Sequence, residues 1–302
     1  MKKIKDFLFM VISLIFAIGG SAYAQPAVSR EKISQNIPQE VRKHIEALYL
    51  PDAKDRVFAI KALTILGKRS EPAVPFLIGI LSDNDWFVRK EAAWILGRLE
   101  DPRAIEPLIR LLNEKNRYVT GEAVEALTKI GRPAVTPLLA ALKYKNVDIR
   151  KNVVTVLGNI GDHQAIDPLI HLLDDHDLGV HRQIASSLQK FGGVAEKRLI
   201  NDLKHGEIHA RENAAWALGK IGSEEAEKPL IAALTGKSAW LRENAAGSLG
   251  EIGTQQAVRP LIKALSDHET VVATKAAEAL KTITGQDFGL APAAWQKWQD
   301  DH

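Results

Sequence analysis

A ten-residue block recurs along this chain every 30 or 31 residues, and that repetition limits the possible folds more than any other feature. Val88-Arg-Lys-Glu-Ala-Ala-Trp-Ile-Leu-Gly97 matches Ile149-Arg-Lys-Asn-Val-Val-Thr-Val-Leu-Gly158, Ala210-Arg-Glu-Asn-Ala-Ala-Trp-Ala-Leu-Gly219 and Leu241-Arg-Glu-Asn-Ala-Ala-Gly-Ser-Leu-Gly250. Weaker copies begin at Phe58, Val119, Val180 and Val272. With the first residue of the block as slot 0, apolar residues fill slots 0, 4, 5 and 8, the spacing of one helical face. Alanines at slots 4 and 5 allow neighbouring helices to approach closely. Gly97, Gly158, Gly219 and Gly250 follow slot 8 and read as helix C-termini. A second block, Pro-Leu-Ile-x-x-Leu, follows at Pro107, Pro168, Pro229 and Pro260. Pro137 and Pro75 open looser versions, and Arg198 stands where the fifth repeat would carry its proline. Proline in a first turn loses no hydrogen bond, so this block predicts a second helix.

Each repeat is thus a helical hairpin, with helix A carrying the first block and helix B the second. One hairpin cannot bury its apolar faces alone, whereas stacked hairpins bury them against each other. The expected fold is all-α: an α-solenoid, a right-handed superhelix of about seven full repeats with a half-repeat cap at each end. Residues 38–284 form the solenoid. Pro38 to Leu50 reads as a lone helix B, Val272 to Thr282 as a lone helix A, and 285–302 as a C-terminal capping tail. Trp295 and Trp298 are expected to cover the last repeat's apolar face.

The N-terminus carries the three parts of a secretory signal: Lys2, Lys3 and Lys5, an apolar run over 7–18, and Ala22-Tyr23-Ala24 before Gln25. Residues 1–24 are read as a signal peptide cleaved after Ala24, and 25–37 as a flexible leader. The apolar run is shorter than the roughly 20 residues of a spanning helix. A periplasmic or secreted setting with no stable membrane span after cleavage is therefore expected. Without Lys2, Lys3, Lys5 and Asp6 the net charge of +3 falls to +1. A chain so balanced lacks the bulk basic character of a nucleic-acid binder. The absence of cysteine excludes disulfides, thiolate metal sites and a cysteine nucleophile.

The two blocks resemble the HEAT-like repeat of the phycocyanobilin-lyase type over about residues 38–284. The tail, Thr284-Gly285-Gln286-Asp287-Phe288-Gly289 with Trp295 and Trp298, is similar to a terminal segment of exported bacterial members. It departs from them at Leu290-Ala291-Pro292, where an Asp-Pro is usual. The resemblance implies the fold; the family includes scaffolds, chromophore-lyase subunits and proteins of unassigned role.

Slot 1 holds Arg89, Arg150, Arg211 and Arg242, with Thr120 and His181 between them. Acids precede several of them, as Asp85, Asp148, Asp177 and Glu207, and the pattern reads as a structural ladder of ion pairs tying adjacent repeats. Slot 3 carries amides at Asn152, Asn213 and Asn244, which either bond a neighbouring repeat's backbone or bind an extended peptide. Slot 6 is mostly polar or small, so Trp94 and Trp216 stand out there as interface anchors. Six histidines fall between His163 and His209 but in no ligand spacing, so no metal site is assigned. No phosphate loop, nucleophile elbow or distinct carboxylate pair is present, so no catalytic residue and no cofactor are assigned.

These residues lead to the expectation of a non-enzymatic protein-interaction scaffold. A protein or peptide would lie on the solenoid groove at Trp94, Asn152, Asn213, Trp216 and Asn244, and no nucleic acid is expected. The alternative, drawn from the resemblance, is a chromophore-lyase-like enzyme or a metal-dependent, di-iron hydroxylase-like one. Export weighs against the first. The second would need several His-Glu pairs, and only His268-Glu269 occurs.

Overall fold

The computed structural model describes residues 33–302. The expected signal peptide 1–24, and the expected leader as far as residue 32, lie outside the described residues. The chain is all-α, an α-solenoid of stacked hairpins, and it divides after Ala104 into two compact units.

The first unit contains α1 (Gln39–Ala47), α2 (Ala53–Leu66), α3 (Val74–Ile80) and α4 (Trp86–Leu99). The half-repeat helix α1 packs on α2 and buries Val41 and Ile45. In the second unit the A helices are α6 (Arg117–Ile130), α8 (Val147–Ile160), α10 (Leu178–Lys190), α12 (Ile208–Ile221), α14 (Ala239–Ile252) and α16 (Thr270–Thr284). The B helices are α5 (Ile105–Leu111), α7 (Val135–Ala141), α9 (Ile166–His171), α11 (Gly193–His205), α13 (Glu227–Ala233) and α15 (Val258–Ala264). Most are a single 3-10 turn plus seven helical residues. In α11, the helix with Arg198 in place of proline, the guanidinium instead bonds Asp167 at 2.7 Å and Asp202 at 2.6 Å.

The A helices begin where short polar side chains satisfy their first N–H groups. Asp52, Asp85, Asn116, Asn146, Asp177 and Ser238 all cap in this way. Asp85 and Asp177, expected as ion-pair partners of slot 1, are thus helix caps. At the far end α17 (Pro292–Asp300) packs on α15. Trp295 is fully buried and donates its Nε1–H to the Gly289 carbonyl at 2.9 Å. Trp298 is half-buried and stacks on His302, so the two tryptophans differ in role.

The first repeat differs in register from the sequence reading. Phe58, taken as slot 0, is 72% exposed, whereas Ala59, Ile60 and Leu63 are the buried residues of α2. Slot 0 is therefore Asp55 and slot 1 is Arg56. The 3-10 segment that follows, Gly67–Ala73, is longer than the three-residue turns elsewhere and hides this shift from a fixed-period alignment.

The slot-9 glycines also have a different role from the one expected. Gly97, Gly158, Gly219 and Gly250 lie inside their helices, which end three residues later in left-handed residues such as Gly161, Gly222 and Gly253. A Cβ on Gly219 would lie 2.6 Å from the Ser248 Cα, and one on Gly250 would lie 2.8 Å from the Ala279 Cα. Gly158, Gly219 and Gly250 let adjacent A helices of the second unit touch. The serines opposite are buried and seal the contact: Ser187 Oγ–H donates to the Val154 carbonyl at 3.0 Å, and Ser248 Oγ–H to that of Ala215 at 2.7 Å.

Slot 1 ties most A helices to the turn before them; α16 carries Ala273 there. Arg56, Arg89, Arg150 and Arg242 each donate to the carbonyl six residues back and to the one five residues back. Thr120 donates to the Glu114 carbonyl at 2.8 Å, and His181 Nε2–H to that of Asp175. Arg211 alone reaches elsewhere, to the Leu203 carbonyl at 3.0 Å. The acids that complete the ladder come from the turn after the arginine's own hairpin, not from before its helix. Arg150 forks onto Asp175 at 2.7 and 3.0 Å, Arg242 onto Asp267 at 2.7 and 2.9 Å, and Arg56 onto Asp83 at 2.7 and 2.8 Å. The hydrogen bonds from Arg242 hold the Asp267 carboxyl below the usual carboxylate range, against the opposing effect of burial.

Two outcomes follow for stability. Gly219→Ala should destabilise the protein by about 1–3 kcal/mol, because backbone must move. Gly121→Ala, in open space within α6, should stabilise it by up to about 1 kcal/mol; urea midpoints separate the two. Asp267→Asn should cost about 3 kcal/mol at neutral pH by leaving Arg242 buried without its counter-ion. A depressed carboxyl stabilises above its unfolded value of about 4 and loses that contribution as pH falls through the lower folded value. The gap between mutant and parent urea midpoints should therefore close below about pH 4.

Candidate functional site

The A helices of the second unit present slots 2, 3, 6 and 10 on one face, and the sequence makes that face polar. Between α12, α14 and α16 it is hollowed to a volume of about 380 Å³. Gly247 at slot 6 and the small residues Ser248, Gly250 and Ala279 form the floor. Trp216 forms one wall, half-buried, with the His181 ring edge-on at 5.9 Å and the Lys220 ammonium at 5.9 Å over its face. Lys220 pairs with Glu251, and Lys275 with Glu278 at 2.6 Å. Glu243 lines the same hollow, so three carboxylates face two ammonium groups.

Of the residues singled out from the sequence, Trp216 and Asn244 meet in this hollow, while Asn152 and Asn213 do not line it. The amide nitrogens are engaged within the stack. Asn152 donates to the Leu112 carbonyl at 2.9 Å, Asn213 to an Asp174 carboxylate oxygen at 2.7 Å, and Asn244 to the Glu212 carbonyl at 3.0 Å. In the first unit Trp94 is half-buried on α4, with the Arg98 guanidinium 5.2 Å over its ring. Trp240, on the first turn of α14, is 68% exposed.

Two further hollows lie where the B helices meet the turns. One, of about 500 Å³, has apolar walls from Ile231, Leu234 and Pro260 and polar groups from Arg242, Lys263 and His268. The His268 Nε2 sits 3.3 Å from an Arg242 nitrogen, so it accepts there. The other, one repeat earlier and about 350 Å³, is lined by Leu203, Lys204, Arg211, Lys228, Pro229 and Ala232. Sequence reasoning missed Lys204 and Lys228, because a lysine on a helix surface carries no signal until its neighbours are known. Among the described residues no three His, Asp or Glu side chains are grouped as a metal site, and no helix is long and apolar enough to cross a membrane.

HEAT repeats are matched at residues 41–128, 109–189, 135–205 and 196–281. The chain is 29% identical over 155 residues to the phycocyanobilin lyase subunit alpha of Picosynechococcus sp., covering 46% of this chain and 58% of that protein. It is 26% identical over 191 residues to the bilin biosynthesis protein PecE of Nostoc sp., covering 49% of this chain and 76% of that one. The complex of CpcE and CpcF of phycocyanin lyase from Nostoc sp. aligns with 83% of this chain and 97% of its own, at 21% identity and a TM-score of 0.37. The chain spans 32% and 58% of the length of the first two curated relatives it matches. These relatives correct the functional expectation. A lyase subunit and a bilin biosynthesis protein are not non-enzymatic scaffolds, so the reading of this chain as a binding module without catalysis gives way to the chromophore-lyase-like alternative. With HEAT repeats matched from residue 41 to 281, the chain belongs to the HEAT-repeat proteins, and bilin lyase and bilin biosynthesis proteins are among those it is similar to.

Proposed function

We propose that this protein acts in a chromophore-lyase-like manner, binding an open-chain tetrapyrrole and presenting it to an acceptor protein. The alignment with the phycocyanobilin lyase alpha subunit over 155 residues carries the reading. The 302 residues contain no cysteine, so the chain has no thiol to hold a bilin through a thioether. Its own contacts with the chromophore are non-covalent, and the thiol belongs to the acceptor. In the step served, the thiol sulfur adds to one carbon of an exocyclic C=C bond of the bilin. A C–S bond forms, the thiol proton passes to the neighbouring carbon, and no oxidant or reductant is consumed. The solenoid contributes position: two reactants held at bonding distance react far faster than two meeting in solution.

The hollow beside Trp216 suits the acceptor polypeptide. Its excess of carboxylate over ammonium disfavours a bilin's two propionates, while an indole face beside polar groups suits a protein side chain. The A-helix face of the second unit, with Asn152, Asn213, Trp216 and Asn244, is accordingly the acceptor surface in this proposal. Purified protein, phycocyanobilin and a cysteine-bearing acceptor should give covalent adduct, read by zinc-enhanced fluorescence in a denaturing gel. The protein should speed adduct formation on the order of tenfold or more. Trp216→Ala, with its helical circular dichroism retained, should remove most of that gain. A protein that neither binds the bilin nor speeds the adduct would overturn the proposal.

Export is the second part of the proposal and, having weighed against a lyase on sequence grounds, requires that the acceptor be exported too; it is supported by Lys2, Lys3, Lys5, the apolar run 7–18 and Ala22-Tyr23-Ala24. The mass of the protein recovered after expression of the full chain should correspond to a start at Gln25. A retained Met1 start would remove export from the proposal.

A further inference from the structure

In the second unit the slot-1 residue and the matching position of the next turn form a two-part pattern. Arg150 meets Asp175 and Arg242 meets Asp267, each pair 25 positions apart. Where slot 1 is Thr120 or His181, the residue 25 positions on is Lys145 or Gly206, so no carboxylate stands there and slot 1 carries no arginine that needs one. Arg211 breaks the pattern, because 25 positions on stands Gly236. Its one hydrogen bond among the described residues is Nε–H to the Leu203 carbonyl. Glu207, four residues before it, forms no ion pair with it among the described residues. The glycine has a steric cause: a Cβ there would lie 2.7 Å from Leu241 Cδ2 and 3.0 Å from the Ala233 carbonyl oxygen.

The half-buried arginine left without a counter-ion opens onto the 350 Å³ hollow, where Lys204 and Lys228 join it. No carboxylate lines that hollow. The register-equivalent hollow one repeat on differs on this point, since Asp267 neutralises Arg242 there. Leu203, Pro229, Ala232 and Ala233 supply apolar walls beside the three cations. A guanidinium with free N–H groups takes a carboxylate through two parallel charge-assisted bonds, and two nearby ammonium groups add to the field.

We propose that Arg211, Lys204 and Lys228 form an anion cradle for the carboxylate of an organic acid whose apolar body lies along Leu203, Pro229 and Ala232. The identification of that acid as a bilin, held by a propionate, rests on the function proposed above. The carboxylate occupies the place that an aspartate fills at the other arginine rungs of this unit.

The test titrates the full-length protein with biliverdin, with biliverdin dimethyl ester and with laurate, following intrinsic tryptophan fluorescence. Biliverdin should bind at least tenfold more tightly than its ester. Arg211→Gln should weaken biliverdin at least tenfold and leave the ester unchanged, a selectivity that general damage to the fold would not produce. Gly236→Asp, which supplies the missing acid, should weaken biliverdin likewise. Arg211→Gln decides alone if strain against Leu241 prevents that variant from folding. Folded Arg211→Gln that binds biliverdin as the parent does overturns the cradle and leaves the bilin reading standing. Laurate bound in an Arg211-dependent way, with no binding of biliverdin, supports the cradle and removes the bilin reading. Binding of neither acid overturns the cradle.

Discussion

The stack depends on a side chain that reaches back from the first turn of most A helices to the carbonyls just before them. Those carbonyls, such as Tyr144 and Lys145, lie in the turn past the end of helix B and take no backbone N–H among the described residues. Water could satisfy them, but the turn would then be held by little else. A slot-1 arginine has five N–H donors in a fixed fork, enough for two carbonyls and a carboxylate together. Arg150 and Arg242 use the fork in this way, and so fix the angle between their own hairpin and the next. Thr120 and His181 keep only the carbonyl bond, and the repeats around them rely more on apolar packing.

That packing is unusually close between A helices. Glycine at slot 9 meets Ser187, Ser248 or Ala279 at slot 7, and the serine hydroxyls bond carbonyls of the neighbouring helix. Such short approach leaves no room for large side chains along the seam, which is why the face above it opens into the hollow beside Trp216. The cavity follows from how the helices are joined.

Much of this was legible in the sequence. The repeat, its two helices and the all-α solenoid follow from slots 0, 4, 5 and 8 and from the recurring proline. Three things were not. The register of the first repeat was hidden because a longer 3-10 segment broke the period and left Phe58 imitating a core position. The slot-9 glycines looked like helix ends because glycine serves both close contact and left-handed turns, and only the neighbouring helix decides between them. The partners of slot 1 were sought on the wrong side because sequence proximity favours Asp85 and Asp177, whereas those acids cap helices and the true partners stand 25 or 27 residues on. The two tryptophans at slot 6 were visible, but the cations around Arg211 become a group only once the turn after it is known to hold Gly236.

The ladder has a consequence for how such a chain can change over generations. Arg150 with Asp175, and Arg242 with Asp267, stand 25 residues apart, inside the 30- or 31-residue period, so each charged rung travels with its own repeat. Copying or deleting a whole period keeps both charges together. An exchange between look-alike A blocks does not: it can join Arg150 to the turn that carries Gly236 and leave a half-buried arginine without its acid. Recombination inside those blocks is thus filtered by electrostatics wherever the rung is charged, even where the blocks themselves read almost alike.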